Sequence, residues 1–417
     1  MAINIEQQVV ILDPGLREFG GHHPALIAGL SESLAVKQAS LAIKVYANKA
    51  CSEKLIAALT DKNTEITPYF KTDFYLNFYS NTKLNTYNAY ISNLAKEYLS
   101  VLSLYENSST TFLFHTLNWE HAYALSLAIN SVQQQGGVKH TYLVCLMYNP
   151  YYAHVDSVQA NNRYFQFTIG FSMLEKQNNV FLYAAEHELM GNYQEMLQCD
   201  IGWHPCGLIS HQNLEAAEQY KKETTNILLY LGDAKDTKGF LQLPDVVKAL
   251  IHEISDPKVK FTLQYTITNN RQDLAQVDKA LKQLQFEDKR IEILSHFLND
   301  DEMHQLWLYT THTILNYDSV AYQNQSSGVL WLAAAYQTTT YLMSESWLNR
   351  EAKRLNITHH FIPNVKQLVQ QLQSDLYQSE QSTGNCLKQN GNRKNEYKQN
   401  LFLDFGSWLV TQMKRHK

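Results

Sequence analysis

The segment NILLYLGDAKDTKGFLQLP, residues 226–244, decides the fold. Its first seven residues are a continuous apolar run of strand length, without alternation. That is the pattern of a strand covered on both faces in a parallel sheet. A polar loop follows, and then a helical pattern over 239–254. Strand, loop and helix together are the repeating half of a βαβ unit. Working outward, the same rhythm fills the chain. In the second half the strand candidates are 226–232, VKFTLQY (259–265), IEIL (291–294), THTILNY (311–317) and TTTYLM (338–343), with a further helix over 326–336. In the first half they are VVILDP (9–14), LAIKVYA (41–47), TTFLFHT (110–116), TYLVCLMY (141–148) and NVFLYAA (179–185), with helical patterns over 86–106 and 118–134. No repeat of 20–50 residues interrupts the series. The expected class is α/β, with two Rossmann-like, doubly wound parallel-sheet domains. The polar stretch 209–225 separates them, so the boundary is expected within 206–225, giving domains 1–208 and 209–399. The Asn-, Gln- and Lys-rich stretch 379–400 reads as a linker or mobile loop. An amphipathic pattern resumes over 400–415.

Composition bounds what such a chain can do. Of 417 residues, 45% are hydrophobic and 18% charged, which fits a globular protein and excludes wholesale disorder. Lys and Arg number 35 against 40 Asp and Glu, so there is no basic excess to hold a nucleic-acid backbone. Five cysteines without C-x-x-C spacing make neither a disulfide framework nor a zinc ribbon. No apolar window reaches the roughly 18 residues of a membrane span. The start, MAINIEQQVVILD, lacks the basic flank of a signal peptide. A soluble cytoplasmic protein is expected. Residues 386–417 carry seven Lys or Arg against two acidic residues. That gives a peripheral inner-membrane contact an electrostatic basis.

Tandem doubly wound domains place a ligand in the cleft between them, at the carboxyl ends of the strands. The loops that follow strands are therefore the candidate sites. After the first strand comes DPGLREFGGHHPALIAGL (13–30). Gly20 and Gly21 permit a tight turn and close approach to a ligand. His22 follows, and Pro24 is expected at the first helical position, where its missing N–H costs nothing. The helix start offers N–H groups to an anion or a sugar hydroxyl. In FHTLNWEH (114–121) His115 ends a strand, and Asn118 or Trp119 opens a helix. An imidazole there can hydrogen-bond a sugar hydroxyl or act as a base near neutral pH. In the segment that opens the second half, Lys235 and Lys238 precede a helix expected to start at Gly239, an arrangement suited to a diphosphate. In LNYDSVAYQNQSSGVLWLAAAY (315–336), Ser326 and Ser327 precede an apolar helix at Gly328 and form a second anion cradle. G-x-G-x-x-G, the Walker A loop, H-E-x-x-H, G-x-S-x-G and D-x-D are all absent. Sixteen histidines lie scattered, so no dedicated metal site is expected.

The last two loops together resemble the C-terminal domain of bacterial group 1 glycosyltransferases of GT-B architecture. GDAKDTKGFLQLP (232–244) is similar to that family's GDAR-x-x-KGF-x-x-LP. YDSVAYQNQSSGVLWLAA (317–334) is similar to its YD-x-x-x-Y-x-x-x-SSGV-x-x-EA. The Gly-Gly-His loop at 20–22 and the segment 185–207 fit the N-terminal domain more loosely. The resemblance implies a metal-independent hexosyltransferase-like enzyme with no cofactor. It implies a nucleotide-sugar donor on the C-terminal domain and a glycan or lipid-linked acceptor on the N-terminal one, in bacterial surface polysaccharide synthesis. It implies that helix 400–417 crosses back to pack on the first domain. Lys235, Lys238 and Gly239 then hold the diphosphate, with Ser326, Ser327, Gly328 and Val329. Tyr317, Asp318 and Tyr322 line the donor pocket. Gly20, Gly21 and His22 border the sugar, and His22 and His115 are the catalytic candidates. Three positions depart from the pattern. The family's E-x7-E pair falls on Asn324 and Leu332, and its loop arginine is Lys235. Leu332 cannot bind a ribose diol, so the alternative is a non-catalytic GT-B protein that binds carbohydrate or scaffolds glycan assembly.

Overall fold

A computed structural model describes residues 7–75, 84–136, 139–151, 157–209, 211–220, 224–268, 270–381 and 395–416. The chain divides into two compact units, residues 1–211 with 400–417, and residues 212–399. The first unit contains β1 (Gln8–Asp13), β2 (Ala42–Asn48), β3 (Thr64–Phe70), β4 (Thr111–Phe114), β5 (Thr141–Leu146), β6 (Val180–Ala184) and β7 (Gly202–Trp203). They form one sheet in the order β3-β2-β1-β4-β5-β6-β7. Every pair is parallel. Continuous apolar strands are required because both faces are covered. Val9 and Ile11 enter one buried cluster while Val10 and Leu12 enter another. Helices fill the crossovers, notably His22–Glu32, Leu84–Ser103, Trp119–Gln134 and Ser157–Glu175.

The second unit repeats the plan with β8 (Thr225–Asp233), β9 (Val259–Thr266), β10 (Ile291–Leu294), β11 (His312–Leu315), β12 (Thr339–Leu342) and β13 (His359–Phe361). Its order is β10-β9-β8-β11-β12-β13, again all parallel. In each sheet the chain winds one way from the first strand and then reverses. The reversal falls between β1 and β4 in one unit, and between β8 and β11 in the other. Such a switch point leaves a crevice at the strand carboxyl ends, with no crossover helix to fill it.

The last helix, Phe405–Arg415, belongs to the first unit. Phe405, Trp408, Leu409, Val410 and Met413 join the cluster that covers β1 and β2. The Trp408 indole N–H donates to the Trp203 carbonyl at 2.8 Å. No described helix is long and apolar enough to cross a membrane.

Two local readings are corrected. The polar stretch 209–225 contains a helix, His211–Gln219. Part of 379–400 is also helical, since Val365–Gln381 runs into it and Glu396–Leu401 closes it. The middle of that stretch, 382–394, lies outside the described residues.

Candidate active site

In the first unit the switch point gathers four side chains. Asp13 is the last residue of β1, and His115 directly follows β4. The turn Pro14-Gly15 holds the aspartate in place, because the Gly15 N–H donates to Asp13 Oδ1 at 3.0 Å. A Cβ at Gly15 would lie 2.2 Å from the His23 ring, so only glycine fits there. Gly20 and Gly21 adopt positive φ, 88° and 79°, and turn the chain into the helix that begins at His22. Pro24 is therefore the third helical residue and not the first. Its missing N–H is harmless there too, since first-turn donors have no partner within the helix.

His23 Nδ1 lies 2.7 Å from Asp13 Oδ1 and 3.0 Å from Oδ2. Its other nitrogen, Nε2, meets the Tyr75 hydroxyl at 2.9 Å. His115 Nε2 lies 2.8 Å from Asp13 Oδ2. The His22 ring packs 4.2 Å from that of His23 and 5.9 Å from that of His115. Its Nε2 is buried with no hydrogen-bond partner among the described residues. Burial alone would raise the Asp13 carboxyl, but His23 and His115 outweigh it and hold it well below the ordinary range. Burial, then the neighbouring imidazoles, keep His22 well below its usual value, so it is neutral at physiological pH. The sequence reading picked out His22 and His115. It missed Asp13 and His23, and it saw the histidines as scattered when two of them meet at one carboxylate.

Nearby residues of FHTLNWEH are structural. His121 is fully buried between the Tyr90 and Tyr98 hydroxyls, each at 2.9 Å, and burial pushes it down to about 3. Asn118 caps the helix Trp119–Gln134. Glu120 is buried in its first turn with one oxygen unpaired, and burial raises it to about 7. The native state thus holds this proton more tightly than the unfolded chain does. Its contribution is fully present below about pH 4.5, and is lost as pH rises to about 7. Two and a half pH units correspond to about 3 kcal/mol. Glu120→Gln is expected to stabilise the chain by up to that amount at pH 8 and far less at pH 5. Urea denaturation at both values checks this; an equal gain at both would refute it.

In the second unit the loops after β8 and β11 meet. The helix expected at Gly239 starts later. A 3₁₀ turn, Asp236–Lys238, is followed by Gly239 in the left-handed region at φ 77°, a second 3₁₀ turn, and then the helix Leu243–Glu253. The N–H groups of Lys238, Gly239 and Phe240 are taken by the carbonyls of Lys235, Asp236 and Lys235. This loop therefore presents side chains, and not the free N–H groups of a helix start. Gly239 packs directly on Asn316, and the Asp318 N–H donates to the Thr237 carbonyl at 2.9 Å. Lys238 Nζ donates to the Leu231 carbonyl at 3.3 Å and stands 5.8 Å from the Tyr317 ring centroid. Gly232, at φ 111°, leaves room for it, since a Cβ there would lie 2.9 Å from Nζ. Burial lowers the Lys238 ammonium to about 8. Lys235 Nζ stands 3.7 Å from Asp233 Oδ2. Arg271, which the sequence reading passed over, pairs with Asp236 at 2.9 Å.

The Tyr317 and Tyr322 rings pack at 4.4 Å, tilted by 45°, and are buried, so they form a floor under the loops. The Ser327 side chain hydrogen-bonds the Tyr317 phenol. Ser327 holds the N-cap position of the helix Gly328–Ala335 without capping it through its hydroxyl. Asp318 is exposed, and its carboxylate accepts the Ala321 N–H at 2.7 Å. The structure thus joins Lys238, Gly239, Tyr317, Asp318, Tyr322 and Ser327, with Lys235 beside them. Ser326, Gly328 and Val329 follow at the helix start. The buried Glu351 is held by the Trp331 indole, the Tyr397 hydroxyl and Arg354.

No protein-family model matches the sequence, and no curated protein matches it. Solved structures do. An α,α-trehalose-phosphate synthase (UDP-forming) of Burkholderia vietnamiensis superposes at TM-score 0.60 with 12% identity, covering 98% of this chain and 100% of the other. A Rickettsia africae glycosyltransferase gives 0.57 with 13% identity over 99% and 98%. A Listeria monocytogenes protein named for UDP-N-acetylglucosamine 2-epimerase gives 0.58 with 13% identity over 99% and 96%. At such identities the likeness establishes fold, and the fold is GT-B: two Rossmann-like parallel-sheet domains of seven and six strands.

Proposed function

We propose that the chain is a glycosyltransferase moving a sugar from a nucleotide-sugar donor to a hydroxyl of a glycan or lipid-linked acceptor, in bacterial surface polysaccharide synthesis. The observation that carries this reading is the placement of both residue clusters. Each lies at the switch point of its own sheet, where doubly wound domains bind their ligands. The neighbours' names add to it, since one is UDP-forming and another is named for a UDP-sugar.

In this reading the second unit holds the donor diphosphate through Lys235 and Lys238. Ser326, Ser327, Gly328 and Val329 border it, and Tyr317, Asp318 and Tyr322 shape the floor. The bond from the sugar C1 to the diphosphate oxygen breaks, and its electron pair leaves with the nucleoside diphosphate. The acceptor oxygen bonds to C1 and loses its proton. Negative charge grows on the diphosphate, and fixed cations stabilise it without reorganising. Two ammonium groups serve there without a metal at the diphosphate. On the first unit, Gly20 and Gly21 bring backbone close to the sugar, and His22 Nε2 and His115 accept or orient hydroxyl protons. Lys414 and Arg415, exposed near the chain's end, supply a salt-reversible attraction to anionic lipid.

One observation favours a second reading, a carbohydrate-binding protein without turnover: Leu332 stands where the ribose-binding carboxylate would be. A thermal-shift screen against UDP-, GDP-, CMP- and dTDP-sugars separates the outcomes. A donor at a hundred times its Kd stabilises by about 2.7 kcal/mol, a shift of several degrees. One nucleotide class is expected to give that shift and to release its diphosphate when acceptor is added. A shift without release supports the second reading; no shift with any donor refutes both the donor site and the transferase.

A further inference from the structure

We propose that Asp13, His23 and His115 bind one divalent transition-metal ion. A carboxylate oxygen and two imidazole nitrogens lie within 4.8 Å of one another, all on buried residues. Two imidazoles and one carboxylate suit zinc or iron(II), cobalt(II) or manganese(II), and not magnesium or calcium, which prefer oxygen. The spacing is close to what such an ion requires. Asp13 Oδ2 is 3.0 Å from His23 Nδ1 and 2.8 Å from His115 Nε2. Adjacent ligands held at about 2.1 Å stand about 3.0 Å apart around an octahedral ion and about 3.4 Å apart around a tetrahedral one, so zinc would require the three side chains to open by a few tenths of an ångström.

The surroundings have the features of a built site. Ligands come from the end of β1, the first turn of a helix and the end of β4, three rigid elements. The far nitrogen of His23 meets the Tyr75 hydroxyl, and Asp13 Oδ1 accepts the Gly15 N–H. Such outer contacts fix which nitrogen and which lone pair face the ion. The Asp13 side chain is 0% exposed, and its side-chain partners among the described residues are the two imidazoles. A buried carboxylate needs a compensating cation, which a dication supplies. His22 adds a third imidazole beside the cluster, with its buried Nε2 unpartnered among the described residues. The site stands whether or not the chain transfers sugars.

The test uses the untagged full-length chain, stripped with chelator and titrated with Co²⁺. The expected result is one bound equivalent, by elemental analysis, with ligand-field bands in the visible. The sulfur-to-cobalt band of a cysteine site should be absent. Asp13→Asn and His115→Gln are each expected to weaken binding at least 100-fold, while His252→Gln, an exposed histidine, leaves it unchanged. Gly15→Ala keeps every ligand but drives a methyl into His23, and should weaken binding too. If the ligand variants fail to fold, the wild-type spectrum and the Gly15→Ala titration decide. No ligand-field spectrum from the folded wild-type chain, a sulfur-to-cobalt band, or unchanged binding in Gly15→Ala or the ligand variants, overturns the proposal. The triad is then hydrogen-bonded without an ion. The assay reads metal and not turnover, so its failure leaves the donor-site reading untouched.

Discussion

Replacing Lys235 and Lys238 together with alanine is expected to lower kcat/KM for a nucleotide-sugar donor by about 10²- to 10⁴-fold. Each charge-assisted contact to a diphosphate contributes about 1.5–3 kcal/mol, and about 1.4 kcal/mol is a factor of ten in rate. Lys238 should account for most of the loss. It is held in place by the Leu231 carbonyl and set against Tyr317, whereas the half-exposed Lys235 leans on Asp233. The pH dependence gives an independent check. Burial lowers the Lys238 ammonium to about 8, so the free chain loses this charge as pH rises through that value. Donor affinity should fall above pH 8, approaching tenfold per unit, and Lys238→Arg should flatten the fall because guanidinium stays charged. Circular dichroism guards against simple unfolding. Near-normal rates in the folded double variant would sink the diphosphate assignment.

Much of this fold is legible from residue order because the interior strands are buried on both faces. β1, β4, β5 and β8 are apolar through most of their length, and their boundaries are read to within a few residues. Strands missed by that rule lie at sheet edges. β3 reads TEITPYF, alternates between buried and exposed, and contains Pro68, which an edge tolerates because one side of the strand forms no ladder. β13 is only HHF, and β7 only Gly202–Trp203. The sites are legible to a different depth. Loops after strands are visible in sequence, and they hold Lys238, Tyr317, His22 and His115. What joins them is not visible. Asp13 bonds His115 across 102 positions, and a single aspartate after an apolar run forms no motif. Gly239 looked like a helix start because a glycine before an apolar segment often is one; its left-handed backbone and contact with Asn316 set it apart only in three dimensions.

That contact supports the second large effect. Gly239→Ala is expected to destabilise the second unit by about 2–4 kcal/mol and to abolish donor binding. Two costs add. At φ 77° an alanine is strained by about 1–2 kcal/mol. Its Cβ would also lie 2.2 Å from the Asn316 carbonyl oxygen and 2.8 Å from Asn316 Nδ2. The carbonyl is backbone and cannot rotate away, because Asn316 directly follows β11 and the Asp318 N–H ties the loop to Thr237. The loops must therefore separate, and Lys238 moves with them. Gly136→Ala isolates the first cost. Its φ is 72°, but nothing lies within 4 Å of the added carbon, so a loss of about 1 kcal/mol is expected there. Chemical denaturation of both variants measures the difference. If Gly239→Ala costs no more than Gly136→Ala, the two loops are not packed as described. Retained donor binding in a destabilised Gly239→Ala would instead free the diphosphate site from this junction.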